Sequence, residues 1–396
     1  MELRDRLRNL RTDPSTPAKP FVKPSPLPYL LPLENSHGVT YYTDKIYIDY
    51  HGRIDLRNYP SISPETIRFL SLDRSIGDLK LKDLLFLDIE TTGTSGGTGT
   101  YAFLVGLGFI EDGYFQIRQY FLHDLAQEVP FLQAIHEFAG RFSHLVTYNG
   151  KCFDAQILKT RYLLHRRIDP LAEKCHIDML FIARRLWKKR FHECDLMNLE
   201  RNILGFHRYD DIPGYLIPGA YIDYLRYANS SLIQQVIHHN QWDIVSLAVL
   251  MARACMLHSD SEDLSAEEHF SLSLLHERQK DFPRAIQHLI QGLEDASAEW
   301  QNQMLIALAR NLRRVKDHEQ MRWLLARVQN ESLDSELCRR LCILCEHDLK
   351  DPRLALEFVE AQIKRLDKYR GLSKRTYVLL EDWIRRRDRL RRKTCT

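Results

Sequence analysis

The sequence lacks any apolar run long enough to cross a membrane. Its longest candidate, residues 101–110, is interrupted by glycines and falls far short of the roughly 20 residues that a spanning helix needs. The charged residues at the start of the chain are followed by no apolar segment, so we expect no secretory signal. The eight cysteines are therefore expected to be reduced thiols in the cytoplasm rather than a disulfide framework.

The sequence also lacks a strong charge imbalance, because its formal net charge is +3. A hydrophobic content of 44% and a charged content of 28% are typical of a globular protein. A chain of 396 residues is expected to contain about two or three domains. We predict an N-terminal arm and small mixed region at 1–80, an α/β domain at 81–258, helical repeats at 264–370 and a basic helical tail at 371–396. The arm is proline-rich up to residue 28.

The α/β domain is predicted from alternating strand and helix patterns. Residues 84–89 form a short apolar run of the kind that makes a buried strand. Residues 101–111 and 114–122 predict two strands joined by a tight turn at Asp112-Gly113. Strands and helices then alternate up to a helix at 231–254, with further helices predicted at 177–190 and 196–204. This order indicates a mixed sheet flanked by helices.

The C-terminal third shows no strand pattern and contains a repeat. Lys280-Asp281, Lys316-Asp317 and Lys350-Asp351 each stand between two helical patterns, with spacings of 36 (281 to 317) and 34 (317 to 351) residues. These spacings resemble the ~34-residue tetratricopeptide period, so degenerate tetratricopeptide helix pairs are predicted, with an ordinary helical bundle as the alternative. Such repeats commonly present a concave face to a protein partner.

Two other patterns in this region allow more than one interpretation. Cys338, Cys342 and Cys345 have a spacing found in iron–sulfur enzymes. They fall at i, i+4 and i+7 of a leucine-rich helix, which favours small core residues. The tail at 385–393 carries seven basic residues against Asp388 alone, as expected of a solvated helix end or of a phosphate-binding surface.

The strand at 84–89 places two carboxylates at its C-terminal end. Asp88 and Glu90 are two residues apart, so both side chains point to the same side of the sheet. A desolvated carboxylate needs a partner, and hard divalent cations take carboxylate oxygen. The alternative is that both residues cap the turn after the strand.

Two further acidic residues join this pair as candidate ligands. Asp154 begins a predicted helix, where it can also act as a first-turn acid that the helix dipole favours. Asp243 lies in a pattern with Val236, His239 and Leu247 at steps of three and four, which places it on the apolar face of a helix. A carboxylate on such a face needs a reason, and a metal site of four carboxylates provides one.

Three segments resemble, in order, the motifs of the DEDD 3′–5′ exonucleases, a family with a ribonuclease-H-like fold. They are Asp88-Ile-Glu90-Thr-Thr-Gly, Tyr148-Asn149-Gly-Lys-Cys-Phe-Asp154 and His238-His239-Asn-Gln-Trp-Asp243. The resemblance covers about 170 residues of the chain. A glycine-rich run after the first motif and the tetratricopeptide-like tail resemble a little-studied bacterial group of predicted exonucleases. The resemblance implies a ribonuclease-H-like mixed sheet followed by an all-α domain.

The resemblance implies hydrolysis of phosphodiester bonds with two divalent ions, Mg²⁺ or Mn²⁺, held by the carboxylates of Asp88, Glu90, Asp154 and Asp243. In this mechanism one ion lowers the pKa of the attacking water, and both stabilise charge on the phosphate. A general base then removes a proton from the water. Histidine suits that task near neutral pH.

Two adjacent histidines are candidates for the base. Family members with a histidine base place it five residues before the last aspartate, as His238 is here. Members with a tyrosine place it four residues before, where this chain has His239. On one continuous helix, four residues turn about 40° around the axis and five turn about 140°. His239 then shares the face of Asp243 and is the favoured base, whereas a break before Asn240 reverses the preference.

The resemblance also implies substrate contacts by residues that flank the motifs, namely Thr91, Thr92, Gly93, Asn149 and Lys151. The first three would contact the 3′-terminal nucleotide through backbone groups, and Asn149 would orient the scissile strand or a water. Lys151 and Arg161 are candidate phosphate contacts, although exposed cations on a helix face are the commoner explanation. Asp178 is expected to have a structural role.

The sequence therefore predicts a metal-dependent 3′–5′ exonuclease acting on single-stranded ends of DNA or RNA, fused to a helical repeat that can bind a protein partner. The alternative is a catalytically weak nucleic-acid-binding or scaffold protein that acts through its helical repeats. The sequence does not distinguish DNA from RNA as the substrate.

Overall fold

The computed structural model describes residues 33–34, 39–46, 50–52, 54–55, 62–93, 97–227, 230–258, 264–328, 334–368 and 374–394. The predicted proline-rich arm, residues 1–28, lies outside the described residues. No helix within these described ranges is both long enough and apolar enough to cross a membrane.

Among the described residues, seven strands form one mixed sheet and two form a short ribbon. The strands are β1 (Leu33–Glu34), β2 (Thr40–Ile46), β3 (Tyr50–His51), β4 (Ile54–Asp55), β5 (Leu84–Thr91), β6 (Ala102–Glu111), β7 (Tyr114–Phe121), β8 (His144–Thr147) and β9 (Cys175–Asp178). The order in the large sheet is β1-β2-β7-β6-β5-β8-β9. β8 runs parallel to both β5 and β9, whereas the other neighbours are antiparallel. β5, which carries the first candidate carboxylates, therefore lies inside the sheet.

The described helices flank this sheet and then continue as an all-helical region. They are α1 (Pro64–Ser71), α2 (Glu128–Ala139), α3 (Asp154–Leu164), α4 (Met179–Trp187), α5 (Leu196–Leu199), α6 (Ile217–Tyr227), α7 (Ile233–Met256), α8 (Ala266–Arg278), α9 (Phe282–Asp295), α10 (Ala298–Val315), α11 (His318–Arg327), α12 (Ser335–Ile343), α13 (Pro352–Asp367) and α14 (Lys374–Thr394). α5 and α12 run directly into π-helical turns at Glu200–Leu204 and Leu344–Asp348. The predicted mixed sheet flanked by helices is confirmed.

The predicted hairpin between β6 and β7 is confirmed. Asp112 and Gly113 both have left-handed backbone, with φ of 55° and 79°. Two successive residues of this conformation make the tight turn that matches the twist of antiparallel strands. Glu111 and Tyr114 pair directly across it.

The predicted helix at 177–190 begins too early, because Ile177 and Asp178 belong to β9. This strand has only four residues, too few for a periodic pattern to identify it. The Asp178 carboxylate accepts a hydrogen bond from the backbone N–H of Leu180 at 3.1 Å, so it caps α4 at its actual start.

Each face of the sheet packs against a separate hydrophobic core. Phe86 packs on one face with Ile244 of α7 and Trp187 of α4. Leu87, the next residue of β5, packs on the other face with Phe131 of α2. The alternation along β5 therefore directs even-numbered side chains toward α7.

The three Lys-Asp pairs of the helical region share one conformation. Lys280, Lys316 and Lys350 have left-handed backbone, with φ of 66°, 57° and 58°. The aspartate after each lysine accepts a hydrogen bond from a backbone N–H in the first turn of the next helix. The repeat in the sequence thus corresponds to a repeated turn between helices.

The helical region packs directly against the α/β region. Leu272 and Leu275 of α8 belong to the same hydrophobic core as Trp187. The indole N–H of Trp187 also donates a hydrogen bond to the buried Glu268 carboxylate at 3.2 Å. These contacts hold the first repeat helix against α4.

The cysteine series is part of the helical core, as expected. Cys338, Cys342 and Cys345 are at most 1% exposed and pack among leucines. The thiol of Cys338 donates to the carbonyl of Phe358 at 3.3 Å. The series therefore fills the interior between α12 and α13.

Part of the charge of the basic tail is used within the protein. The Arg389 and Lys393 side chains bind opposite oxygens of the Glu346 carboxylate at 2.6 and 2.7 Å. Trp383 and Leu390 of the same helix are buried. α14 is thus docked on the helical region through both charge and apolar contacts.

We predict that Gly106→Ala destabilises the protein, because a Cβ at this position of β6 would lie 2.1 Å from Oδ1 of Asn240. Overpacking of this kind costs about 1–3 kcal/mol. Gly219→Ala in α6 is the control, since a Cβ there meets no atom within 4 Å. Urea unfolding measures both variants, and equal stability of the two would contradict the prediction.

Candidate active site

The first two carboxylates lie on one side of β5. Leu87 and Ile89 are buried, whereas Asp88 and Glu90, which alternate with them along the strand, are partly exposed. The alternation expected from the sequence is therefore observed, and both carboxylates face α7.

Asp88 is held by an amide relay. Nδ2 of Asn240, on α7, donates to Oδ2 of Asp88 at 2.7 Å. Nε2 of Gln119, on β7, donates to Oδ1 of the same Asn240 at 2.7 Å. Both amide side chains are fully buried. Gly106, paired with Asp88 across the sheet, leaves the space that Asn240 fills.

α7 is one continuous helix from Ile233 to Met256, which is the condition under which His239 shares a face with Asp243. Nε2 of His239 lies 3.3 Å from Oδ2 of Asp243. Ligand atoms of Glu90, His239 and Asp243 all lie within 4.8 Å of one another. Within the described part of the chain, this is the one such cluster of histidine, cysteine and acidic side chains.

The other nitrogen of His239 is fixed by Asp211. Nδ1 of His239 lies 2.8 Å from Oδ1 of Asp211. An ionised carboxylate can only accept, so Nδ1 carries a hydrogen, and Nε2, which faces Asp243, is the nitrogen that gains or loses the second proton. Burial lowers the pKa of His239, but the bond to Asp211 and the charges of Asp243 and Asp211 outweigh it and raise that pKa.

Arg208 links the Asp243 carboxylate to other acidic residues around the site. Its guanidinium donates to Asp243 at 2.5 Å, to Glu200 at 2.5 Å and to Asp211 at 3.2 Å. The side chain is 3% exposed, so these are buried ion pairs. Arg208 thereby holds Asp243 and the partner of His239 in one network.

Asp154 begins α3 and is 5% exposed. Burial, then the charges of Asp178 and Asp243, raises its pKa to about 8. Burial and the charges of Asp243 and Asp154 likewise raise the pKa of Asp88 well above its usual value. For Glu90, burial and the charge of Asp88 are the largest causes of a raised pKa. The charges of these carboxylates thus act on one another, although the cluster of ligand atoms within 4.8 Å includes only Glu90 and Asp243 of the four.

His238, the second histidine candidate, lies apart from this cluster. It is half-buried, and burial lowers its pKa. The group of ligand atoms that includes His239 does not include His238. The continuous helix accordingly places only one of the adjacent histidines with Glu90 and Asp243.

The residues after the first motif shape its turn. The Thr91 hydroxyl donates to the carbonyl of Gly93 at 2.8 Å. The Thr92 hydroxyl accepts from the backbone N–H of Tyr101 at 3.0 Å. The two threonine side chains are thus bonded to the protein's own backbone, and substrate contacts by Thr91, Thr92 and Gly93 stay a prediction.

Asp178 holds the backbone turn of the second motif. Its carboxylate accepts from the backbone N–H of Asn149 at 2.8 Å and of Lys151 at 3.0 Å. Asn149 is held in left-handed backbone, with φ of 63°. These bonds agree with the structural role expected of Asp178. The charge of Lys151 affects the pKa values of Cys175 and His176, on the side of β9.

Arg161 is not the phosphate contact or exposed helix cation that the sequence suggested. It is 3% exposed and forms a two-bond ion pair with Glu128, with both N···O distances at 2.5 Å. Its guanidinium also lies over the Tyr101 ring, 3.9 Å from the centroid. The cation is fully used within the protein, and its partner is 33 residues away in sequence.

Sequence reasoning missed three residues of the site: Arg208, Asp211 and Asn240. The first two lie in a loop, where side chains follow no period, so the spacing carries no information about direction. The available signal was the short order Arg208, Asp210, Asp211 between two predicted helices. Asn240 follows His239 directly and was identified only as part of the third motif.

The donor set fits a divalent cation. The described residues offer carboxylate oxygens from Asp88, Glu90, Asp154 and Asp243. Magnesium and manganese favour such oxygen donors. The raised pKa values show the repulsion that a cation would relieve.

We predict that Glu90→Gln stabilises the metal-free protein. The raised pKa of Glu90 means that its ionised form opposes folding at neutral pH, and an amide removes that charge. Because the chain has 396 residues, a rise of about 1 °C in Tm is expected for each 1 kcal/mol gained. By the same sign, metal-free wild type gains stability as pH falls from 9 toward 7, through the Asp154 pKa of about 8.

Thermal unfolding in EDTA and in MnCl₂ provides the measurement, with exposed Glu193→Gln as the matched control. Mn²⁺ is expected to stabilise wild type and the control more than Glu90→Gln. A Glu90→Gln protein that is less stable in EDTA, or that keeps the full Mn²⁺ effect, would contradict the prediction.

Two comparisons place the chain among known proteins. A family model of the RNase H superfamily matches residues 85–255, the part that contains β5, α3 and α7. The chain is also 31% identical over 291 residues to the uncharacterized protein YprB of Bacillus subtilis (strain 168), covering 71% of this chain and 69% of YprB. The chain therefore belongs to the same family as YprB and contains an RNase H superfamily domain at residues 85–255.

Proposed function

We propose that the protein is a metal-dependent nuclease, and specifically a 3′–5′ exonuclease of the DEDD type that acts on single-stranded ends. The RNase H superfamily includes nucleases, and the four candidate carboxylates are all present. The observation that carries the proposal is the cluster of Glu90, His239 and Asp243, whose ligand atoms lie within 4.8 Å of one another.

Asp88, Glu90, Asp154 and Asp243 would hold two divalent ions, Mg²⁺ or Mn²⁺. When bound, such ions stabilise charge on the phosphate and lower the pKa of the attacking water. Asn240 keeps Asp88 in place, and Arg208 does the same for Asp243. The protein thus fixes two of the four proposed ligands, Asp88 and Asp243, before any substrate arrives.

His239 is proposed as the general base. Asp211 fixes its Nδ1 hydrogen, so Nε2 can take a proton from the water that attacks phosphorus. The water oxygen bonds to phosphorus, the bond from phosphorus to the 3′ oxygen breaks, and that oxygen takes a proton from solvent. The products are a 5′-mononucleotide and a strand shortened by one residue.

Two exposed cations near the second motif support nucleic acid as the partner. Arg184 and Lys188 lie one turn apart on and after α4, and both are exposed. Their charges affect the pKa of Cys194, whose carbonyl accepts a hydrogen bond from the hydroxyl of Tyr148. Cations near a nuclease site attract the phosphate backbone.

We also propose that residues 264–370 form tetratricopeptide-like repeats that bind a protein partner. The common geometry of the turns at Lys280, Lys316 and Lys350 supports this assignment. Stacked helix pairs of this kind expose an extended face for binding. We likewise propose that residues 81–258 form the nuclease domain.

The proposed activity is tested with the purified full chain, MnCl₂ or MgCl₂, and single-stranded DNA and RNA oligonucleotides labelled at either end. We expect a 3′ label to be released first as a mononucleotide, while a 5′ label persists on a ladder of shorter products. A circular single strand should resist. Asp88→Asn and Asp243→Asn serve as inactive controls.

The alternative is the scaffold or weak nucleic-acid-binding protein. Binding of the oligonucleotides without cleavage, across both metals and a range of pH, would refute the exonuclease proposal and favour that alternative. Release of the 5′ label first would refute the proposed polarity. Cleavage of the circular strand would refute exonuclease action.

We predict that His239→Ala lowers kcat by about 10²–10⁴-fold, the usual contribution of a positioned base. His238→Ala is the matched control, because it changes the adjacent residue of α7 and should stay within a few fold of wild type. Initial rates at saturating substrate measure both. Equal losses, or a larger loss for His238→Ala, would contradict the assignment.

A further inference from the structure

One buried histidine joins the short N-terminal ribbon to α7. His51, the last residue of β3, is 2% exposed, and β3 contacts α7. Its ring lies 4.0 Å from the Phe206 ring and 6.1 Å from the Trp242 ring, centroid to centroid. Its Nε2 lies 3.0 Å from the hydroxyl of Ser246, a fully buried residue of α7. His51 therefore contacts the helix that also carries Asp243.

The next residue of the ribbon contacts the turn that begins at Glu200. Gly52 has left-handed backbone, with φ of 64°, and a Cβ there would lie 2.2 Å from the carbonyl oxygen of Leu204. Leu204 is the last residue of the π-helical turn that begins at Glu200. Glycine permits both this conformation and this close approach. The ribbon is thus held against this turn as well as against α7.

A chain of hydrogen bonds leads from His51 to Glu200. Burial raises the pKa of Glu200, and hydrogen bonds from Arg208 and Ser246 oppose that rise. A serine hydroxyl has one hydrogen, so Ser246 gives it to Glu200 and accepts from Nε2 of His51. Burial and the charge of Arg208 lower the pKa of His51 to about 3, so its ring is neutral and carries its hydrogen on Nε2.

Glu200 in turn sets the plane of the Arg208 guanidinium. Its two carboxylate oxygens accept from Nε at 2.8 Å and from Nη2 at 2.5 Å. A pair with two bonds fixes orientation as well as distance. The other hydrogen of Nη2 is then directed to Asp243, which accepts it at 2.5 Å. The position of the Asp243 carboxylate therefore depends on contacts that begin in the ribbon.

Four side chains thus act in series on Asp243, and we call them the positioning chain: His51, Ser246, Glu200 and Arg208. We propose that His51 is a positioning residue that, through this chain, holds Asp243 ready to bind a divalent cation. The proposal rests on the nuclease function proposed above, and it gives the N-terminal ribbon a part in that site. Without the donor from His51, the Ser246 hydroxyl can turn to the carbonyl of Trp242, one helical turn back.

Two substitutions of His51 separate its hydrogen bond from its packing. His51→Phe keeps an aromatic ring beside Phe206 and removes the donor, whereas His51→Gln keeps a donor near the position of Nε2 and removes the ring. Titration calorimetry of the full chain with MnCl₂ measures the affinity. We expect His51→Phe to weaken Mn²⁺ binding about tenfold, the low end of the loss usual for side chains that orient metal ligands. His51→Gln should stay within a few fold of wild type, although it should lose more stability in urea than His51→Phe.

Ser246→Ala interrupts the same chain at its next member, with a residue that suits a buried helix. We expect it to weaken Mn²⁺ binding by a factor similar to that of His51→Phe. The double variant should show no further loss, because two changes within one chain are not additive.

His144→Phe is the matched control, because His144 is another buried histidine whose Nδ1 lies 2.8 Å from a serine hydroxyl. His144 pairs with Leu84 at the start of β5, whereas Asp88 and Glu90 lie toward the other end of that strand. Its substitution should therefore leave the Mn²⁺ affinity unchanged.

Unchanged Mn²⁺ affinity in both His51→Phe and Ser246→Ala would overturn the proposal. Losses that multiply in the double variant would also overturn it, as would a loss in His51→Gln or His144→Phe equal to that in His51→Phe.

The assay on labelled oligonucleotides separates this inference from the proposed function. Mn²⁺ binding that depends on His51 and Ser246, without hydrolysis of any strand, would refute the nuclease and keep the positioning chain. Hydrolysis by wild type, with a Mn²⁺ affinity that depends on neither residue, would keep the nuclease and refute the positioning chain.

Discussion

Repulsion among partly desolvated carboxylates is the constraint on which the candidate site depends. Asp88, Glu90 and Asp154 have raised pKa values because burial and neighbouring negative charges oppose their ionisation. Without compensation, such a group destabilises the folded chain. The surrounding structure supplies part of the compensation through Asn240 and Arg208. A divalent cation would relieve the remaining repulsion, so the same repulsion that destabilises the metal-free protein would favour binding of the cation.

A single helix, α7, brings the compensating groups together. His239, Asn240 and Asp243 lie within about one turn of it and reach three different partners. Asn240 extends across β6 to Asp88, and this close approach requires the absence of a side chain at Gly106. The geometry of the candidate site therefore depends on backbone packing between helix and sheet as much as on the acidic residues themselves.

The sequence was sufficient for the parts of the site that lie on regular elements. The two-residue spacing of Asp88 and Glu90 and the helical period around Asp243 each fixed a direction, and the structure follows both. The loop of Arg208 and Asp211 has no period, so its inward residues could not be separated from its exposed ones. Arg161 shows the same limit, because the partner that buries it is remote in the chain. A short strand such as β9 likewise leaves too few residues for a pattern.

The most direct test of the central claim is the position of a bound metal. Crystals of the full chain grown with MnCl₂ can be measured at the manganese absorption edge. We expect an anomalous peak between β5 and α7, in contact with the carboxylates of Glu90 and Asp243. Ordered carboxylates with no peak there, or manganese bound only elsewhere on the protein, would contradict the assignment of this cluster as the catalytic metal site.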